Sequence, residues 1–205
     1  MSDVNDSSGN GRTLTNNGVV TFVAGKVGNC GRFATASSQY LSSSNSAFAI
    51  TGNITVACWA NFSSATNFKR IINRFIQGTG GYTLSTDNSA NNLTGFGCVG
   101  TGGTANPTSG TLNTSQWYFL VGWFDASIST AYLSINDAAA ITEAIPSGGV
   151  MANPNVDFMI GAFDSPVTQY MDGDIDEVGV WDRLLTAAER TFLYNNGTGR
   201  TWPLL

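Results

Sequence analysis

The chain has 205 residues, 42% of them hydrophobic and only 11% charged, with a net charge of −5, three Cys and no His. That length suits one domain around one sizeable core, and the charged share is well under half the usual ~25%. The acidic balance argues against a nucleic-acid partner, no apolar run approaches the ~18 residues of a membrane span, and the lack of His excludes Ser-His-Asp and Cys-His catalysis.

Taken in chain order, short β-branched and aromatic runs alternate with Gly/Asn/Ser/Thr clusters. They predict strands over Val19–Val23, Ile54–Phe62, Arg70–Phe75, Tyr82–Ser85, Leu93–Val99, Trp117–Phe124, Thr130–Ile135, Asp157–Gly161 and Met171–Trp181. The spacing is that of an antiparallel sandwich, not of βαβ units. Trp117–Phe124 is almost continuously apolar, which places it mid-sheet, covered on both faces. In Ile54–Ala60, Ile54, Val56 and Cys58 face one way, and Thr55, Ala57 and Trp59 the other.

One segment reads as a helix. Thr186 and Glu189 form a capping box, Phe192 and Leu193 give an apolar stripe, and Asn195-Asn196-Gly197 ends it. Residues 90–92 and 101–110 read as exposed loops, not linkers. The whole of 1–205 therefore reads as one domain, with 1–5 and 200–205 as terminal extensions. Cys30, Cys58 and Cys98 read as free, buried, small hydrophobes. Residues 1–12 carry neither the basic nor the apolar region of a signal peptide. The amide- and hydroxyl-rich composition is nonetheless that of an extracellular surface. A phage structural protein, released by lysis, reconciles the two.

Three segments carry a resemblance. The first runs from Asp6-Ser-Ser-Gly-Asn-Gly-Arg12 through Leu14 and Thr21–Phe33 to Tyr40-Leu41 and Ile54–Trp59. The second is Gln116-Trp-Tyr118 with Ala131–Ile135. The third is Met171-Asp-Gly-Asp-Ile-Asp-Glu-Val-Gly-Val-Trp181, then Leu184–Arg190 and Leu193–Gly197. Together they resemble the laminin G-like branch of the concanavalin A-like lectin/glucanase superfamily. The resemblance implies an all-β jelly roll of two antiparallel sheets with one short C-terminal helix. It also implies a module that binds glycans, proteins or calcium, often without catalysis.

The acidic run Asp172, Asp174, Asp176, Glu177 and Asp182 lacks the Glu-x-Asp-x-x-Glu spacing of the superfamily's hydrolases, so no catalytic residue is assigned. Strand alternation puts Asp176 on the face of Val178 and Val180, partly buried. A buried carboxylate needs a cation or several N–H donors. Asp6, Asn10 and Asp176 are the expected ligands of a structural Ca²⁺, if the chain ends meet. Backbone N–H groups, Arg32 or Arg183 are the alternative partners of Asp176. Tyr82, Tyr170 and Trp202 flank loops as candidate stacking surfaces for sugars, with Asn88, Asn91, Asn92 and Asn106 as polar partners. The strand tryptophans read as core. Lys69, Arg70 and Arg74 form the one basic cluster, read as a solvated face. The C-terminal Trp202-Pro-Leu-Leu205 reads as a cover for a sheet edge or a neighbouring subunit.

The expected function is a non-catalytic binding or structural module on a virion surface, as a decoration or fibre protein. Its expected partners are glycans of a host surface, other virion proteins and further copies of itself. A carbohydrate-binding module appended to a glycoside hydrolase, and a purely structural capsid-stabilising protein, are the alternatives.

Overall fold

The computed structural model describes every residue except 2, 65–67, 87–92, 165 and 202–205. In chain order its strands are β1 Thr15–Asn17, β2 Thr21–Ala24, β3 Asn29–Phe33, β4 Tyr40–Ser43, β5 Ile54–Phe62, β6 Arg70–Ile76, β7 Gly80–Thr86 and β8 Leu93–Gly100. They continue with β9 Gly103–Ala105, β10 Thr108–Thr111, β11 Trp117–Asp125, β12 Thr130–Ile135, β13 Ile141–Ala144, β14 Phe158–Ile160 and β15 Gly173–Trp181, and a helix α1 spans Ala187–Tyr194.

The strands make two antiparallel sheets. One runs β1-β4-β14-β6-β7-β8-β10, with β9 also paired to β8; the other runs β13-β12-β11-β5-β15-β3-β2. Neighbours far apart in sequence, such as β5 and β15, lie side by side, as a jelly roll requires. The expected all-β sandwich with one C-terminal helix is what forms.

Alternation builds the core. From β5, Ile54, Val56, Cys58, Ala60 and Phe62 point between the sheets, where they meet Ile72, Tyr82, Leu84 and Phe96 of the opposite sheet. Each aromatic or aliphatic side chain so buried contributes about 1.5–3 kcal/mol of transfer free energy. The other face of β5 carries Ala57 and Trp59. These join Phe119, Val121 and Trp123 of β11 under Leu185 and Leu193 from α1. Thus β11, expected mid-sheet with both faces covered, lies between β5 and β12 with a sandwich on one side and the helix on the other.

The helix starts where the capping box predicts. The Thr186 hydroxyl accepts from the Glu189 N–H, and the Glu189 carboxylate accepts from the Thr186 N–H. Asn195 ends it in the left-handed region, at φ 48°. Thr55 tethers the lead-in: its hydroxyl donates to the Arg183 carbonyl and accepts from the Leu185 N–H.

Four expectations need correction. Residues 101–110, expected as an exposed loop, form β9 and the start of β10, both paired to β8. The strand expected over Val19–Val23 is β2, which starts at Thr21, because Val19 sits at φ 61° and is 74% exposed. Asp176 does not share a face with Val180. A β-bulge between Asp176 and Gly179, with Glu177 at φ 47°, shifts the register, so Asp176 lies opposite Trp59 and Val180 opposite Val56. Arg70 and Arg74 are not on a solvated face: they are 7% and 8% exposed. Cys30, Cys58 and Cys98 are buried free thiols. The segment Trp202–Leu205 lies outside the described residues.

Candidate functional site

The expected cation ligands come first. Asp176 is fully buried, and its charge is met from within the chain. Oδ1 accepts from the Met1 ammonium at 2.5 Å and from the Glu177 N–H at 2.9 Å, and Oδ2 accepts from the Val27 N–H at 2.8 Å. Asp6 closes its own turn, accepting from the Ser8 and Arg12 N–H groups at 2.9 Å each. These bonds hold its carboxyl below the usual range, although burial opposes them. Asn10 bonds Ser8 in the same turn. Among the described residues no three Cys, Asp or Glu side chains gather as a metal site. N–H donors, not fellow oxygens, face these carboxylates, so the donor set of Asp6, Asn10 and Asp176 does not fit Ca²⁺. Arg32 and Arg183, the alternative partners, instead bind Asp174 and Glu189.

A cavity of about 310 Å³ opens beside the Asp6 turn. Leu14, Phe48, Phe158 and Val180 make its apolar wall, and Asp6 stands at its rim with both oxygens already committed to the turn.

A second group of polar side chains lies elsewhere, on the outer face of the eight-stranded sheet. Register places them in two rows. Across the strands, Ser42, Met159, Asn73, Thr83 and Gly97 stand opposite one another in turn. The next row holds Arg70, Ser85 and Gly95. Directly opposed side chains are about 5 Å apart, so the polar members of the two rows, Asn73, Thr83, Arg70 and Ser85, form one patch, all of it buried.

Arg70 is its centre. Nε donates to Gln169 Oε1 at 2.7 Å, and Nη1 donates to the hydroxyls of Thr83 and Ser85 at 3.2 and 3.1 Å. The rings of Phe163, Phe75 and Phe68 surround the guanidinium at 5.0, 5.6 and 5.8 Å from its carbon. Burial pulls its pKa down to about 10, which leaves it charged at neutral pH. Gln169 is held in place by a tight ladder: Phe163 and Thr168 exchange both backbone hydrogen bonds, and the Gln169 carbonyl then accepts the Arg70 N–H.

Asn73 is fully buried, yet neither its amide nitrogen nor its oxygen has a hydrogen-bond partner among the described residues. Native proteins leave few such groups. Asn106 adds a second free amide from the exposed loop between β9 and β10. Its backbone N–H is fixed by Glu143 at 3.0 Å, while its side chain bonds no described residue. Gly95 and Gly97 make room for it. A Cβ built on Gly97 would sit 3.1 Å from Thr83 Cγ2, 3.5 Å from Asn106 Oδ1 and 4.0 Å from Phe75 Cε2. Those three side chains therefore converge over one spot.

Of the expected sugar-binding residues, Tyr170 comes near this surface. It is half-buried and tilted against Tyr40, ring centroids 6.3 Å apart, next in sequence to Gln169. Tyr82 does not: it is fully buried mid-strand, and its hydroxyl donates to the Phe48 carbonyl. Its parity with core Leu84 made that legible. Asn88, Asn91, Asn92 and Trp202 lie outside the described residues. Sequence reasoning missed Asn73, because an Asn between Ile72 and Arg74 signals nothing until β6 finds its neighbours.

Solved structures with this architecture include the binding domain of Paraclostridial Mosquitocidal Protein 1, with a TM-score of 0.74 and 13% identity over 94% of this chain and 49% of that one. Domain 4 of AbnA, an extracellular GH43 arabinanase of Geobacillus stearothermophilus in complex with arabinotriose, aligns with a TM-score of 0.67 and 18% identity over 97% of this chain and 93% of that one. The binding domain of botulinum neurotoxin DC in complex with SialylT aligns at 0.66 and 11% over 92% and 47%. The chain thus spans about half the length of the two toxin domains and nearly all of the arabinanase domain. At these identities the likeness is one of fold. Among curated proteins none matches the sequence. The family model for the concanavalin A-like lectin/glucanases superfamily, in its laminin G form, matches residues 35–189. That covers most of both sheets and the start of α1, and the chain belongs to this superfamily.

Proposed function

We propose that this chain is a non-catalytic glycan-binding module that uses the outer face of its eight-stranded sheet. One observation carries the reading: two amides, Asn73 on the sheet face and Asn106 from the loop over it, stand without partners among the described residues beside aromatic rings. An amide offers a donor and an acceptor side by side, which suits the vicinal hydroxyls of a sugar, and aromatic walls suit its C–H faces. The complexes of similar folds with arabinotriose and SialylT support the same class of ligand.

Carboxylate chemistry supports binding over hydrolysis. Asp174 is clamped by Arg32 and Asp176 by Met1 and Val27, while Asp172 and Asp182 stand at opposite ends of the nine-residue β15, too far apart to flank one glycosidic bond. Screening on a glycan array, followed by calorimetric titration of the best hit, tests the proposal. Loss of the hit in Asn106→Ala, with the melting temperature unchanged, is the expected result. A hit that survives both Asn106→Ala and Asn73→Ala overturns this face as the site. The virion-surface setting is a separate proposal that rests on the neutral, amide-rich composition. Recovery of the chain in purified particles tests it, and analytical ultracentrifugation tests the proposed homo-oligomer.

A further inference from the structure

Three of the described cations meet carboxylates. Arg32 meets Asp174, Arg183 meets Glu189, and the Met1 ammonium meets Asp176 and Glu177. Arg70 is more buried than either of those side-chain cations, yet, like Arg74, it has no carboxylate partner among the described residues. Its guanidinium is held by neutral oxygens and ring faces through Nε and Nη1, and Nη2 donates to no described residue. A buried charge ordinarily carries a counter-charge. In a chain with 14 acidic residues, none of the described ones fills that position. Lys69 lies beside it, its ammonium donating to the Thr35 hydroxyl rather than to an acid.

We infer that this face selects an acidic saccharide, whose anionic group supplies the missing counter-charge at Arg70 Nη2 while its hydroxyls pair with the amides of Asn73 and Asn106. The inference rests on the glycan-binding reading and sharpens it to one class of glycan. The geometry favours this division of labour. Thr83 is opposite Asn73 in the register and accepts from Arg70, so the guanidinium and the Asn73 amide are one side chain apart. Gln169, Thr83 and Ser85 fix the guanidinium before any ligand arrives, so little side-chain entropy remains to be lost on binding. Charge-assisted hydrogen bonds are roughly twice as strong as neutral ones, which makes the anion the main discriminator.

The test compares members of one oligosaccharide series on the unaltered chain: a uronate oligomer, its methyl ester, a sulfated counterpart and the neutral parent. The expected result is at least about tenfold tighter binding of an acidic member than of its ester or parent. Arg70→Gln should erase that ratio, while Asn106→Ala should weaken all members alike and leave the ratio in place. If Arg70→Gln fails to fold, the acid-to-ester ratio on the unaltered chain decides alone. Equal binding of acid and ester, or a ratio that survives in folded Arg70→Gln, overturns the acidic preference and leaves the glycan reading standing. Binding of no glycan in the series or on an array overturns both.

Discussion

Asn73 sets stability and function against each other at a single side chain. A buried amide with no partner keeps the full cost of leaving water, about 1–3 kcal/mol. Its surroundings include Met159 and Phe75, both nearly buried, so an aliphatic side chain of similar volume finds apolar contacts there. Asn73→Leu is therefore expected to stabilise the fold by about 1 kcal/mol in urea titration and to abolish glycan binding in calorimetry. A destabilised Asn73→Leu would mean that the amide is satisfied in solution. Asp176 is the opposite case, a buried charge with every oxygen engaged. Asp176→Ala orphans the Val27 N–H, leaves the Met1 ammonium to Glu177 and the Asn29 carbonyl, and should cost about 3 kcal/mol by the same urea titration. The sequence made Asp176 stand out as a carboxylate on an apolar strand. It was silent on Asn73, whose oddity exists only once β14, β6 and β7 are paired.

Elements were legible in proportion to how apolar they are. β5 and β11 run nine residues each and appear at the positions that the hydrophobic runs indicate. The strands left unread, β1, β3, β4, β9, β10 and β13, are short and rich in Thr, Asn, Ser and Gly. They are held by pairing with a neighbour rather than by their own pattern. The helix was legible because its signal is local. Thr186→Ala should cost about 1 kcal/mol, read as a lower denaturation midpoint. Glu189 adds a pH term: Arg183 and the Thr186 N–H hold its carboxyl down to about 2. A carboxyl lowered on folding stabilises fully above its unfolded value of 4.5, and the gain is lost as pH falls towards 2. Glu189→Gln should therefore lower stability above about pH 4.5 and give a flatter acid limb below it, the two curves converging near pH 2. Circular-dichroism melts across that window check it, and parallel curves would remove the ion pair from the account.

On the scale of the whole molecule, the two sheets close over Cys58 and Cys98, and Cys30 is buried on β3, which turns the three thiols into reporters of how the sandwich opens. Cys58 lies in β5, mid-sheet, and Cys98 in β8 of the opposite sheet; burial raises both thiols far above the usual value. Cys30 is also buried, with burial and the nearby Asp174 and Asp176 raising it to about 11. It differs in place, because β3 is followed only by β2, whose residues are half-buried or exposed and whose outer edge is unpaired. The thiolate is the reactive form, so none of the three should label in the native state at pH 8 within the dead time of a thiol reagent. Fraying of an edge strand takes less free energy than unfolding of central strands. In rising urea, Cys30 should therefore label first, below the global midpoint, while Cys58 and Cys98 label together at that midpoint. Mass spectrometry of the labelled peptides separates the three. Labelling of Cys98 ahead of Cys30 would show that the eight-stranded sheet opens first. The face that carries Arg70 and Asn73 would then be the labile half of the sandwich, the reverse of what a preorganised binding surface requires.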